Sequence, residues 1–276
     1  MTFTDILKEY FRWTENREPE GFLSWQHLTY ATFMVALTVF LAVFLGRKFR
    51  NCTPEEKDRV VKVAAVVIVC CELFKIVLIS IRAHDPWKFR SMLPLFLCSI
   101  NLFTIPIAAF CRGKFKEYAQ DSVFMYGCLC MLAGSYLAAN YFDGSPVLSF
   151  DPMMSVTTHC IAGFCSLYLG IAGCIRARLR CFLQSLLLIV GIEGIALLAN
   201  LWNRGSDGEY ESNYMFLSNS AGTPFEIFNT IAGGNQILYT LQVAASYLVY
   251  ALLFIGVYAL ILRAKPKAQA VKEPLP

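Results

Sequence analysis

The sequence predicts an all-α fold: a polytopic membrane protein, built as a bundle of seven transmembrane helices with an N-terminal interfacial amphipathic helix. Three observations lead there. Of the 276 residues, 57% are hydrophobic and 16% charged, where soluble domains average about 45–50% apolar and about 25% charged. Seven stretches are long and apolar enough to cross a bilayer, which takes roughly 20 mostly apolar residues. The basic residues divide unevenly between the segments that join those stretches. The mean hydropathy of +0.51 agrees. The composition excludes a disordered chain and a coiled coil, and the few, scattered Lys and Arg exclude a dedicated nucleic-acid binder.

Residues 1–24 read as an amphipathic interfacial segment. Phe3, Ile6, Leu7, Tyr10 and Phe11 recur at i, i+3, i+4, i+7 and i+8, which is one helical face, while Asp5, Lys8, Glu9 and Arg12 fall largely off it. Such a helix lies on the membrane surface or packs against the bundle. Eight charges without a continuous apolar core argue against a cleavable signal peptide here. The seven-helix domain covers 25–264, with spans at 28–46, 60–81, 92–111, 122–141, 155–175, 181–202 and 236–262. No segment alternates polar and apolar residues over about ten positions, so an outer-membrane barrel is excluded. The 203–235 connection is long for a compact bundle. It mixes Gly, Ser and Asn with apolar patches at 214–217 and 225–228, the composition of a lid or partly re-entrant loop. Residues 265–276 form a tail.

Loop charge orients the bundle. The N-terminal segment and the loops on its side hold 7 Lys and Arg, and the other loops with the tail hold 16, counting Lys62 at the mouth of the second span. The positive-inside rule then puts the N-terminus outside and the C-terminus in the cytoplasm, in the plasma membrane. Trp13, Trp25, Trp87 and Trp202 all fall on the outer side, as an interfacial aromatic belt requires. The 11 cysteines lie mostly within apolar runs. Cys70-Cys71 and Cys128-x-Cys130 lack a second ligand pair at zinc spacing. No disulfide framework, metal site or cofactor is expected, and the cysteines act as small apolar residues.

Ionisable groups at membrane depth are costly and face a cavity, a partner or a substrate path. Glu72 and Lys75 sit three apart near the middle of the second span and share a face. Glu193 stands in the sixth span between Gly191 and Gly194, where small neighbours let another helix approach. Cys98, Asn101 and Thr104 share one face of the third span. The fifth opens with Ser155, Thr157, Thr158 and His159, the sixth ends with Asn200, and His27 heads the first. With the orientation above, these residues converge on a polar cavity reaching from mid-depth to the outer face, capped by the loop that carries Asn213 and Tyr214. Soluble-enzyme signatures are absent: there is no G-x-S-x-G, H-E-x-x-H, P-loop or G-x-G-x-x-G.

The run Leu93-Pro94-Leu95-Phe96-Leu97-Cys98-Ser99-Ile100 resembles the LPLHLC stretch of the YwaF-like integral membrane proteins. Trp25-Gln26-His27-Leu28, Glu72-Leu73, His159 and Asn213-Tyr214-Met215-Phe216-Leu217 with Pro224 follow in the expected order, over residues 22–262. That family is distantly similar to transmembrane acyltransferases that remodel ether phospholipids, which use a Cys and a downstream His. The resemblance implies that His159 matches the His. The acyltransferase Cys directly follows a Leu-Pro pair, where this chain has Leu95, with Cys98 three residues on; the family His of the LPLHLC stretch is Phe96 here.

Two functions of different class fit these residues. One is acyl transfer or lipid hydrolysis, with Cys98 as nucleophile, His159 as its base and Asn101 or Asn200 steadying the oxyanion. The other is a non-enzymatic lipid or small-molecule transporter or binding protein using Glu72, Lys75 and Glu193. Membrane lipids are the expected partners in both; nucleic acid is not. A receptor or scaffold shares the architecture, and short cytoplasmic loops speak against it.

Overall fold

Apolar runs of this length satisfy their backbone groups in a membrane only by closing them within helices, and the chain folds accordingly. The computed structural model describes residues 3–82, 95–96, 98–175, 179–204, 212–220, 223 and 225–264. Among these residues the elements are α1 (Phe3–Glu15), α2 (Trp25–Phe49), α3 (Pro54–Arg82), a 3-10 turn (Cys98–Ile100) leading into α4 (Asn101–Phe110), α5 (Lys114–Tyr136), α6 (Ala139–Phe142), α7 (Phe150–Ile171), α8 (Leu179–Trp202), a 3-10 turn (Tyr214–Phe216), α9 (Glu226–Ala232) and α10 (Gln236–Ala264). Each of the seven apolar stretches therefore contains a helix. Among the described residues, α2, α3 and α7 are long and apolar enough to cross a membrane, and Cys98–Phe110 and Leu187–Trp202 are shorter apolar helical segments. Residues 92–94 and 97 of the third stretch, Trp87, residues 205–211 and Pro224 of the long connection, and the 265–276 tail lie outside the described residues.

Local chemistry sets the boundaries. At the start of α3, Thr53 Oγ1 accepts from the Glu56 N–H (3.4 Å) and Glu56 Oε2 accepts from the Thr53 N–H (2.9 Å), a reciprocal capping box ahead of Pro54. These bonds, that from the Thr53 backbone foremost, hold the Glu56 carboxyl below its usual range. Ser24 caps α2 by accepting from the His27 N–H (3.2 Å).

The centre of the bundle is the α5–α7 pair, the most extensive helix contact. α2 and α3 pack on α7, α4 on α5 and α3, α8 on α5, and α10 on α8 and α9. Small residues let α5 and α7 meet at backbone distance. A Cβ at Gly127 would strike the Ala162 carbonyl, one at Gly163 the Met131 side chain, and one at Gly170 the Phe124 ring. Polar contacts fix the directions. Lys57 and Asp58 at the start of α3 meet Tyr168 near the end of α7 and Lys116 near the start of α5. At the opposite end, His27 of α2 reaches Ser135 of α5, and Arg82 of α3 reaches Asp151 of α7. So α3 and α5 run one way while α2 and α7 run the other.

The amphipathic α1 lies against that second end. The Tyr10 hydroxyl donates to the Leu148 carbonyl (2.8 Å), the Phe11 ring meets Phe150, and the Arg82 guanidinium stands 5.1 Å over Phe11. Ile6 and Trp13 remain exposed. Of the two placements the sequence allows for this helix, its Tyr10–Phe11 side takes the bundle contact. Trp25 and Trp202 are also exposed.

Candidate functional site

The sequence candidates separate into one cluster of five and five that stand apart from it. The cluster forms where α3, the Cys98–Ile100 turn, α5 and α7 converge. In α7, His159 follows Ser155 by four residues, so the two stack on one face. The ring Nδ1–H donates to the Ser155 carbonyl at 2.6 Å, with Ser155 Oγ 3.5 Å away. That bond fixes the tautomer and leaves Nε2 as the acceptor. The Cys98 thiol lies beside this imidazole and 3.9 Å from Ser99 Oγ. An acceptor nitrogen beside a thiol, in a ring oriented by a third group, is the arrangement that activates a nucleophile.

Gly134 of α5 forms the wall behind the imidazole. A Cβ there would fall on Cγ, Cδ2 and Nε2 of His159. From α3, Glu72 and Lys75 pair at 2.7 Å, both largely buried, and Lys75 lies close to Cys98, His159 and Asp151. Asn101 is buried one turn past Cys98. Its Nδ2 donates to the Cys98 carbonyl and to Cys130 Sγ, each at 3.4 Å, and its Oδ1 has no partner among the described residues. Tyr141 comes close to Cys98, Glu72 and Asp151.

The remaining candidates stand apart. His27 is fully buried: Nδ1 accepts from the Leu23 N–H (3.1 Å), Nε2 donates to the Ser135 carbonyl (2.8 Å), and the ring stacks on Phe142. Both nitrogens are thus occupied, Nε2 in joining α2 to α5 and Nδ1 in holding the turn before α2. Asn200 clamps the α8–α9 connection. Its Oδ1 accepts from the Tyr214 N–H (2.8 Å) and the Ser212 hydroxyl (3.2 Å), and its Nδ2 donates to the Tyr214 carbonyl (3.0 Å). Asn213 closes the same loop on the 218–219 backbone. Tyr214 is fully buried and packs edge-on against Phe96, two residues before Cys98. Glu193 stands near Tyr126 and Tyr247, its Oε1 unpartnered among the described residues, and Tyr247 is also close to Cys98. Gly191 and Gly194 are exposed, with open space where a Cβ would stand. The helix expected to approach them is not found among the described residues.

Three features went unread in the sequence. Ser155 has a polar side chain, but it is its backbone carbonyl that orients the imidazole. Gly134 has no functional group; its signal is the seven-residue spacing from Gly127, matched by Gly163 and Gly170 on the facing helix. Met215 and Phe216 both take positive φ (54° and 56°), a strained pair of non-glycine residues. Tyr247 and Tyr239 hold it by donating to the Met215 and Phe216 carbonyls at 3.1 and 2.7 Å.

Apolar helices packed around small-residue seams, with a thiol, an imidazole and an ion pair among them, define an integral membrane protein with a polar site. A family model matches residues 22–265, and the chain belongs to the TMEM164 family. The membrane class expected from the ordered motifs holds at this level. A likeness to YwaF-like proteins or to acyltransferases has no support in the comparisons. No curated protein and no solved structure matches the chain.

Proposed function

We propose that this protein transfers or hydrolyses acyl groups of membrane lipids at Cys98, within a seven-pass bundle in the plasma membrane whose N-terminal side faces outward. The single observation that carries the reading is the oriented pair: His159, tied at Nδ1 to the Ser155 carbonyl, with the Cys98 thiol beside its ring. In the proposed reaction Nε2 takes the thiol proton as sulfur attacks the ester carbonyl carbon. The imidazolium returns that proton to the departing alkoxide, leaving an acyl thioester on Cys98. A second lipid hydroxyl, or water, then attacks the thioester by the reverse proton route. Asn101 stands one turn from the sulfur, placed to donate to the developing oxyanion once its amide leaves the Cys98 carbonyl. Lys75 adds positive charge to the same region.

The test uses full-length protein in lipid nanodiscs with a phospholipid carrying a labelled acyl chain. A hydroxylamine-sensitive mass increment on the Cys98 peptide is expected, absent in Cys98→Ala and slowed about 100-fold or more in His159→Gln. Wild-type turnover in Cys98→Ala would remove the proposal. The unpartnered Glu193 Oε1 and the Glu72–Lys75 pair favour a second reading, lipid or small-molecule transport without covalent chemistry. It requires Glu72→Gln and Glu193→Gln to abolish flux while Cys98→Ala is silent.

A further inference from the structure

The acyl thioester proposed on Cys98 would form next to an amine. Lys75 Nζ stands 2.7 Å from Glu72 Oε1, with the two side chains 17% and 9% exposed, and it lies close to Cys98, His159 and Asp151. An unprotonated amine cleaves a thioester readily, and the amide that results is far more stable than the thioester it replaces. Groups held side by side in good orientation react as though at effective molarities of about 10⁵–10⁸ M. The lysine stem is flexible enough to bring Nζ to the acyl group. What blocks the attack is the proton on nitrogen, and burial makes an ammonium costly unless a counter-charge stands by.

Three groups face Lys75 from the elements around it. Asp151 of α7 has Oδ2 3.9 Å from Arg82, so its charge is already shared. Tyr141 of α6, close to Cys98, Glu72 and Asp151, is a phenol and brings no carboxylate. Glu72 is the counter-charge in direct contact, held on the same face of α3 by the i, i+3 spacing.

We infer that Glu72 and Lys75 form a guard pair: the carboxylate keeps Lys75 protonated and so keeps the acyl group on Cys98 for a hydroxyl or water, and Lys75 is a latent N-acylation site. The inference rests on the proposed thioester. Without Glu72, the Nζ lone pair attacks the thioester carbonyl carbon. A C–N bond forms, the C–S bond breaks, and the proton shed by nitrogen passes to the departing thiolate, directly or through His159 Nε2. The products are an amide on Lys75 and a free Cys98 thiol, and nothing is oxidised or reduced. The amide ends turnover, because it removes the ammonium and leaves an acyl chain beside the thiol. The ion pair thus selects the class of acceptor, hydroxyl over amine.

The test incubates full-length protein in lipid nanodiscs with a phospholipid carrying a labelled acyl chain, and in parallel with the p-nitrophenyl ester of that chain, which loads a reactive thiol without the lipid. Hydroxylamine then strips thioesters and spares amides. In Glu72→Gln the resistant label should accumulate on the Lys75 peptide at least about tenfold faster than in the native protein, since an opposite charge at this range shifts an ionisation by about one to three decades. Turnover should stop as the label accumulates. Glu72→Gln with Cys98→Ala should carry no label on Lys75, because the acyl group passes through sulfur. Glu72→Gln with Lys75→Arg offers a guanidinium that stays protonated, and its progress curve should be linear whatever its initial rate. Glu72→Asp, a carboxylate on a shorter stem, should show the same label at a lower rate and serves if Glu72→Gln does not fold. A merely structural ion pair would lower the melting temperature and put no label on Lys75. A Cys98 thioester without the Lys75 amide in a folded variant, equal amide formation in native protein and variant, or Lys75 label in the absence of Cys98 overturns the inference and leaves the acyl chemistry standing. Amide formation from the nitrophenyl ester alone supports the guard pair and counts against phospholipid as the substrate. Absence of label on both residues from both donors removes the guard pair and the acyl chemistry together.

Discussion

Replacing Gly134 by Ala tests the geometry of the site through a residue with no chemistry of its own. The added methyl would fall on Cγ, Cδ2 and Nε2 of His159. The ring cannot easily step aside, because Nδ1 is held 2.6 Å from the Ser155 carbonyl. Nor can α5 retreat freely, because the Ser135 carbonyl is bound to His27. Overpacking of this kind costs about 1–3 kcal/mol, whereas exchanging glycine for alanine inside a helix gains about 1 kcal/mol where there is room. The two effects separate in a double-mutant cycle. In the native background Gly134→Ala should destabilise the protein and disturb the Cys98–His159 contact. In a His159→Ala background the ring is gone, and the same change should stabilise by about 1 kcal/mol. Equilibrium unfolding in detergent micelles gives the four stabilities, with a coupling of about 1–3 kcal/mol expected. An equal effect of Gly134→Ala in both backgrounds would refute the packing argument.

Asn200→Leu removes three hydrogen bonds to residues 212–214 and should cost about 3 kcal/mol, at about 1 kcal/mol per bond. Limited proteolysis should find new cleavage within 212–220, and an unchanged digestion pattern would contradict the clamp. Lys75→Met leaves the Glu72 carboxylate buried and uncompensated, a loss of about 3–5 kcal/mol; Glu72→Gln in the same chain should recover most of it in thermal melts. Glu56 has a folded-state pKa below its ordinary value of 4.5, so its capping box stabilises above that value. The contribution is lost as pH falls through the lower, folded value. Glu56→Gln should therefore flatten the stability profile on the acid side and leave the slope above pH 6 unchanged.

What could be read from the sequence was what depends on neighbours along the chain. Glu72 and Lys75 are three residues apart, and their pairing follows from the helix repeat. The face shared by Cys98, Asn101 and Thr104 and the amphipathic period of α1 are local in the same sense. The meeting of Cys98 with His159 is not local: α4, α5 and α6 lie between them, and only the packing of α4 and α7 on α5 brings them together. Asn200 was visible as a polar residue in an apolar run, yet its partner is the backbone of Tyr214, which no side-chain pattern announces. The Gly191–Gly194 pair led the other way. Small residues permit a close helix contact without requiring one, and both face open space.

The helix that begins at Cys98 is short. Its 13 residues to Phe110 extend about 20 Å, against a hydrocarbon thickness of about 30 Å. Were Phe110 at one boundary, the sulfur would lie about 10 Å inside the other, deeper than the level at which phospholipid esters ordinarily rest. On the proposed acyl chemistry, substrate and thiol would then meet only where the lipid sinks or the bilayer thins. The protein would in that case respond to the thickness of its host membrane, turning over faster in short-chain than in long-chain bilayers of the same headgroup.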